Sequence, residues 1–262
     1  MKSIKWLAFG CKHAPLTDAD AMAWAIERIR ELQPDVIVDL GDAFEADSAS
    51  RWPSEYDFTL DDEYRADNEH RRRIREAAPN AKLVFLPGNH DDNILAIGRI
   101  DKRMRARCNW QVRQYDDRDR WLNEELLTHW QIKAKHLYCR QRGVYRLGQV
   151  AFAHGYEHGS NSDEFQAILL GDPFGLTVTA HTHRPMPVTQ AQRTKDVPLP
   201  YWYANVGCLR DLKPSYVARK RTHRWGQALA HGTAQITKSP RMSRQWTATV
   251  EIFRMYDAWA GR

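Results

Sequence analysis

The sequence has few cysteines and no long apolar run, and each absence excludes a class of protein. Its four cysteines are scattered over 262 residues without a Cys-x-x-Cys pair, which argues against a disulfide scaffold or a zinc knuckle. No apolar stretch approaches the ~20 residues that a membrane-spanning helix needs. Internal repeats and low-complexity tracts are also absent from the sequence. With 42% hydrophobic and 27% charged residues, the composition predicts a globular protein outside the membrane, and we expect it in the cytoplasm.

Strand-like and helix-like segments alternate along the chain. The apolar stretch at 4–9 is shorter than a signal-peptide core and predicts a first strand that ends at Gly10. Further strands are predicted at 36–40, 83–86, 144–147, 150–153, 176–179, 201–206 and 246–253, and helices at 18–32, 59–78, 94–142 and 162–170. An order of strand, helix, strand, helix, strand is typical of a parallel α/β sheet. The stretch 213–245 is the least readable part of the sequence.

Five short blocks rich in metal-binding side chains directly follow predicted strands. They are Gly10-Cys11-Lys12-His13, Gly41-Asp42, Gly88-Asn89-His90-Asp91, His154-Gly155 and Ala180-His181-Thr182-His183. In open α/β sheets, ligands collect beyond the carboxyl ends of the strands, so we expect the blocks to converge in one crevice. A single histidine is usually a hydrogen-bonded core or surface residue, but this ordered set predicts a metal site.

The side chains in these blocks suit two divalent ions about 3.5–4 Å apart. Asp42 is a natural bridging carboxylate, and Asn89 can offer its amide oxygen. Neutral imidazoles, the commonest protein ligands of zinc and iron, come from His13, His154, His181 and His183. The last two are separated by one residue, so both can project from one extended segment toward adjacent ions.

In this order, the blocks resemble the motifs of the calcineurin-like metallophosphoesterase superfamily. That family carries Asp-x-His, Gly-Asp-x-x-Asp, Gly-Asn-His-Asp/Glu, a later His and Gly-His-x-His. The likeness extends to Asn205-Val206-Gly207, where many members carry Asn-Pro-Gly. The resemblance implies an α/β fold of four layers, a double β-sandwich flanked by helices, with the dinuclear site on loops at one end. We predict a metallophosphoesterase domain at 1–215 with a helical insertion at 94–142, and a basic extension at 216–262 that completes or packs on the same domain.

The resemblance also implies a role for each matching residue. One ion would be held by Cys11, His13, Asp42 and His183, and the other by Asp42, Asn89, His154 and His181. His90 matches the catalytic histidine of the family, and Asp91 matches the acid that orients it. The implied reaction is hydrolysis of a phosphoester by a hydroxide that bridges the ions. His90 would protonate the leaving oxygen or hydrogen-bond to the phosphoryl group.

Three positions depart from the family pattern. Cys11 stands where the family has Asp, Glu45 occupies the second acid of Gly-Asp-x-x-Asp, and Ala180 replaces the Gly before His181. Glu45 keeps the charge, and the change to Ala180 is minor. A thiolate at Cys11 is a softer ligand than a carboxylate and favours zinc or iron over magnesium or manganese. We therefore predict two transition-metal ions (Fe, Zn or Mn), with Fe or Zn at the Cys11 site; the alternative is an unliganded thiol beside a weaker or empty first site.

The distribution of charge bears on the substrate. The net charge is +6, and the segment from Arg184 to Arg244 holds twelve Lys or Arg against two acids. Within it, Arg219, Arg221 and Arg224 beside Trp225 suit phosphate contacts and base stacking. They favour a phosphodiesterase that acts on nucleotides or nucleic acid, although a solvated basic face would have the same composition.

Three functions of different classes stay open at this point. The first is an active dinuclear phosphoesterase, either a phosphodiesterase or a phosphomonoesterase such as a protein phosphatase. The second is a nucleic-acid-binding protein with an impaired metal site, and the third is a degenerate scaffold for protein contacts. Because only one ligand position departs from the family pattern, the sequence favours the first. Hydrolysis of an aryl phosphodiester with added Mn, Fe or Zn would separate it from the others.

Overall fold

The computed structural model describes residues 2–47, 50, 56–91, 93, 143–212, 224–237 and 244–253. Its strands are β1 (Lys2–Phe9), β2 (Val36–Asp39), β3 (Lys82–Phe85), β4 (Tyr145–Leu147), β5 (Val150–Phe152), β6 (Leu176–Thr179), β7 (Met186–Gln190), β8 (Trp202–Asn205), β9 (Gln227–Ile236) and β10 (Trp246–Phe253). The helices are α1 (Ala19–Leu32), α2 (Leu60–Ala77) and α3 (Ser162–Leu170). The helical insertion predicted at 94–142 lies outside the described residues, as do Arg219 and Arg221.

Two five-stranded mixed sheets form the centre of the fold. The first has the strand order β10-β9-β1-β2-β3, and the second has the order β4-β5-β6-β8-β7. The predicted parallel arrangement holds for β1, β2 and β3, and also for β5, β6 and β8. The remaining strands join these two groups in antiparallel pairs.

The sheets face each other across one apolar core, and helices cover their outer faces. Trp6 and Val38 of the first sheet belong to the same buried cluster as Phe152 and Val178 of the second. Alternate residues of β1 point the other way, and Leu7 packs with apolar side chains of α1. On the far side, α3 contacts β6 and β8. The four-layer α/β double sandwich expected from the sequence is therefore confirmed.

Capping residues and an apolar stripe in the local sequence determine where the helices begin and which face they bury. Asp18 caps α1 because its Oδ1 accepts hydrogen bonds from Asp20 N and Ala21 N. The predicted apolar stripe is buried along its whole length: Ala21, Met22, Ala25, Ile26 and Ile29. α2 begins with a capping box between Thr59 and Asp62. Within the described parts of the chain, no helix is both long enough and apolar enough to cross a membrane.

Strand β9 lies in the stretch 213–245, the part of the sequence that was hardest to interpret. It pairs with β1 over a long register, from Lys2 opposite Ile236 to Ala8 opposite Ala230. Its first four residues are buried in succession, so the alternation typical of a half-buried strand is missing. The segment after residue 215 thus contributes two strands, β9 and β10, to the first sheet.

Candidate metal centre

The five blocks converge at one end of the two sheets, on loops that follow β1, β2, β3, β5 and β6. The first cluster consists of Cys11, His13, Asp42 and His183, whose ligand atoms all lie within 4.8 Å of one another. Asp42, His154 and His181 form a second set of the same compactness. Asn89 adjoins it through Oδ1, 3.0 Å from His154 Nε2, and these four residues are called the second cluster. Asp42 belongs to both clusters.

The loops that carry the ligands have an unusual backbone. Five of the proposed ligands have positive φ angles: Cys11 (51°), His13 (50°), Asp42 (50°), His181 (47°) and His183 (58°). A non-glycine residue in this region costs about 1–3 kcal/mol and persists only where the surrounding structure holds it. Such residues concentrate at functional sites, and here they coincide with proposed ligands.

Gly88 allows the third block to approach Asp42. A Cβ at residue 88 would lie 2.1 Å from Asp42 Oδ1 and 2.3 Å from Asp42 N. His90 N donates to Asp42 Oδ1 at 2.9 Å, and Asp91 Oδ2 accepts from Asp42 N at 2.9 Å and from Gly88 N at 2.7 Å. The Asp91 carboxylate therefore joins two backbone segments, and its predicted role in orienting the His90 ring stays a prediction.

In the second cluster, three atoms that can offer lone pairs lie close to Nε2 of His154. Its Nδ1 lies 3.0 Å from the carbonyl of Leu40, which can only accept, so Nδ1 carries a proton. Its Nε2 then faces Asp42 Oδ2 at 3.2 Å, Asn89 Oδ1 at 3.0 Å and His181 Nδ1 at 3.2 Å. With His181 in the tautomer that leaves Nδ1 unprotonated, these atoms repel unless a proton on Nε2 or a metal ion lies between them.

In the first cluster, His13 is anchored by an acid. His13 Nδ1 lies 2.7 Å from Glu45 Oε2, and its Nε2 faces His183 Nε2 at 3.1 Å and Asp42 Oδ2 at 3.7 Å. Arg210 Nη1 donates to the same Glu45 oxygen at 3.2 Å. Burial opposes ionisation of Glu45, but His13 and Arg210 bring its pKa down to about 2. A carboxylate that fixes an imidazole in this way is a common support for a metal-binding histidine.

Burial keeps three of the imidazoles neutral. It lowers the pKa of His13 to about 4 and that of His181 to about 3, and it holds the pKa of His183 well below its ordinary value. Neutral imidazole is the form that binds a metal. Burial also raises the pKa of Cys11, and the Asp42 carboxylate adds to this, so a thiolate at Cys11 requires a nearby cation. A thiol, a carboxylate, an amide oxygen and four imidazoles fit two transition-metal ions.

Asn205 braces the loop that carries His181 and His183. Its Nδ2 donates to Ala180 O at 2.6 Å, to Asp163 Oδ1 at 2.8 Å and to Thr182 Oγ1 at 3.1 Å. Its Oδ1 accepts from Gly207 N at 2.8 Å. The sequence had matched Asn205 to a family turn without giving it a role, and the structure shows that it holds this ligand loop.

Two residues at the site were missed by sequence reasoning, and a third was noted for another reason. Arg210 reaches Glu45 from the loop after β8, and no spacing in the sequence signals that contact. His158 lies beside His181, with ring centroids 4.4 Å apart, and its position four residues after His154 was the available signal. Trp225, noted for base stacking, packs edge to face on His183 at 4.4 Å and 72°. The neighbouring Arg224 is exposed.

A family match covers most of the chain. The family model described as calcineurin-like phosphoesterase matches residues 6–219. A search of curated protein sequences finds no match to this chain.

Several solved structures are similar at low sequence identity. Vps29 of Chaetomium thermophilum is 12% identical, with 95% of this chain and 97% of that chain covered and a TM-score of 0.42. The phosphoesterase Yfce of E. coli is 14% identical, with 88% of each chain covered and a TM-score of 0.39. A Vps29 single mutant of Entamoeba histolytica is 10% identical, with 96% and 100% covered and a TM-score of 0.40. Likeness this low carries no argument about function.

Proposed function

This chain belongs to the calcineurin-like phosphoesterase family, and we propose that it hydrolyses phosphodiesters at a dinuclear centre formed by the first and second clusters. The observation that carries the proposal is that both clusters share Asp42. A carboxylate between a set of sulfur and nitrogen donors and a set of oxygen and nitrogen donors suits a pair of ions about 3.5–4 Å apart. The proposed ligands are Cys11, His13, Asp42 and His183 for the first ion and Asp42, Asn89, His154 and His181 for the second.

When bound, two such ions would stabilise charge on the phosphoryl oxygens and lower the pKa of a bound water. The chain itself supplies orientation and a proton donor. His90 Nδ1 donates to the backbone carbonyl of Glu45, which fixes the ring and leaves Nε2 as its other hydrogen-bonding atom. His90 also packs edge to face on His13, with centroids 4.7 Å apart. This position suits His90 as the group that gives a proton to the leaving oxygen.

Trp225 favours a diester over a monoester. Its half-buried ring lies beside the first cluster, and the guanidinium carbon of Arg210 is 5.8 Å from the ring centroid. An aromatic surface at this place can stack on the second esterifying group, such as a nucleoside base, which a monoester lacks. The exposed Arg224 next to it can contact a further phosphate. Nucleotides or nucleic acid are the substrates that these contacts suit.

The test compares an aryl phosphodiester with the matching aryl phosphomonoester in the presence of Mn, Fe(II) or Zn. We expect faster hydrolysis of the diester and about two transition-metal ions per chain by elemental analysis. His90→Asn should lose about 10²–10⁴-fold in activity and keep both ions, because it removes only the proton donor. Faster monoester hydrolysis would instead identify a phosphomonoesterase. No hydrolysis with any metal, combined with salt-dependent binding of labelled DNA, would identify a binding protein with an impaired site.

A further inference from the structure

His181 presents one ring nitrogen to each of two partners. Its Nδ1 lies 3.2 Å from His154 Nε2, inside the second cluster. Its Nε2 lies 3.3 Å from Nε2 of His158, an exposed residue on the loop between β5 and α3. The two rings are tilted by 52°, with centroids 4.4 Å apart. His181 therefore connects the buried cluster to a side chain at the surface.

A neutral imidazole has one N–H donor and one lone pair, so the state of one nitrogen fixes the other. If Nδ1 of His181 offers its lone pair to an ion, Nε2 carries the proton and needs an acceptor. His158 Nε2 is that acceptor when the His158 proton is on Nδ1. Two other proposed ligands have a buried partner at the nitrogen that faces away from the ion: His154 Nδ1 donates to Leu40 O, and His13 Nδ1 lies 2.7 Å from Glu45 Oε2.

We propose that His158 is a positioning residue for the second ion, which sets the His181 tautomer by accepting its Nε2 proton. This inference rests on the proposed dinuclear centre. Partners of this kind are commonly worth 10–100-fold in metal affinity. Because His158 is a side chain in solvent, the second ion is held by a weaker support than the first.

The experiment measures metal binding, not turnover. Metal-free protein is titrated with Zn²⁺ against a competing chelator, so that two binding steps are resolved for the wild type, His158→Ala and His158→Gln. We expect His158→Ala to weaken the second step by about 10–100-fold and to leave the first unchanged. Gln keeps an acceptor oxygen, so His158→Gln should retain most of the wild-type affinity. His231→Ala removes a part-buried histidine on β9 that belongs to neither cluster and serves as the control for non-specific binding.

Each other outcome has a definite meaning. Two steps of wild-type affinity in His158→Ala would overturn the inference while leaving the proposed function intact. An equal loss in both steps, or no rescue by His158→Gln, would overturn it too, because a general structural defect would then explain the effect. A third ion in the wild type that His158→Ala loses would make His158 a ligand and not a positioning residue. Fewer than two ions in the wild type would refute the proposed function, and the role of His158 with it.

Discussion

The first and second clusters share Asp42 but differ in what surrounds them. Cys11, His13 and His183 are between 0% and 5% exposed, and the support of His13 is a buried acid held by Arg210. In the second cluster, Asn89 and His181 are only half-buried, and the outer support is a residue in solvent. Closed metal sites keep a fixed ligand set, whereas open ones leave a position for water or substrate. We therefore expect the first ion to be the firmly held one and the second to face the substrate.

The largest effect should come from removing the residue that both clusters share. Asp42→Asn takes away the bridging charge, so we expect metal content to fall from about two ions per chain to less than one. Diester hydrolysis should fall by on the order of 10³-fold or more, since the charge stabilisation of the centre is lost. Elemental analysis and initial rates check this, with the exposed Asp196→Asn as control. Two retained ions would show that Asp42 does not bridge.

Cys11 offers a way to disable the first cluster alone. Cys11→Ala should leave about one ion per chain, because the second cluster keeps all of its donors. Cys11→Asp should restore two ions and shift the preference from zinc or iron toward manganese or magnesium. The matched control is Cys208→Ala, since Cys208 is equally buried but contributes no ligand atom to either cluster. Full metal content and unchanged activity in Cys11→Ala would remove the thiol from the ligand set.

We expect the free energy of unfolding to depend on pH through Glu63, which holds the loop that supports the first cluster. Glu63 is buried beneath it and accepts from Ala46 N at 2.8 Å and Asp47 N at 2.9 Å. Burial nevertheless raises the pKa of Glu63 from its ordinary 4.5 to about 7. The folded state thus binds this proton more tightly than the unfolded chain. Its contribution to stability is full below pH 4.5 and is lost as pH rises to about 7, by about 3 kcal/mol.

Glu63→Gln isolates that contribution. The amide cannot ionise, so the variant should show a flatter dependence of the free energy of unfolding on pH between 4 and 8. Denaturant unfolding at several pH values measures it, and Glu76→Gln on the exposed side of the same helix is the control. Identical pH profiles for wild type and Glu63→Gln would mean that Glu63 is already ionised in the folded protein.

The smallest effect is expected at the edge of the first cluster, where Trp225 meets His183. Trp225→Ala should raise KM for a nucleotide diester by about fivefold, which corresponds to ~1 kcal/mol of lost stacking. KM for a small monoester should not change, and Trp225→Phe should behave nearly as the wild type. An equal rise for both substrates would point to a role in holding His183 and not in stacking.

Much of the fold was predictable because its signals are local. Short windows of sequence contain the apolar stripe and the cap of α1. They also contain the short apolar runs that form β1, β2 and β3. β9 was not predictable from alternation, because its first half is buried on both faces and Gly232 interrupts its second half. Burial from both sides depends on distant partners that no short window of sequence contains.

The candidate site likewise has residues that could be predicted from the sequence and residues that could not. Its proposed ligands lie in compact blocks at strand ends, so residue type and order were enough to name them. Their supports come from far along the chain: Arg210 lies 165 residues from Glu45, and His154 lies 114 residues from Leu40. The Leu40 group that supports His154 is a backbone carbonyl, and because every residue has one, the sequence cannot indicate this contact. The contact between His158 and His181 depends on how two loops happen to meet.

The pairing of β1 with β9 has a consequence for the order in which the protein folds. Lys2 faces Ile236, so β1 sits between β2 and a strand that lies more than 200 residues further along the chain. Such non-local pairing slows folding, because a long loop must close before its contacts form. Cys11 O also accepts from Leu209 N at 3.1 Å, which ties the first ligand loop to a late segment. Until β9 and the segment at Leu209 are in place, Cys11 and His13 lie on an incomplete sheet, so we expect metal binding at the first cluster to follow closure of this long loop.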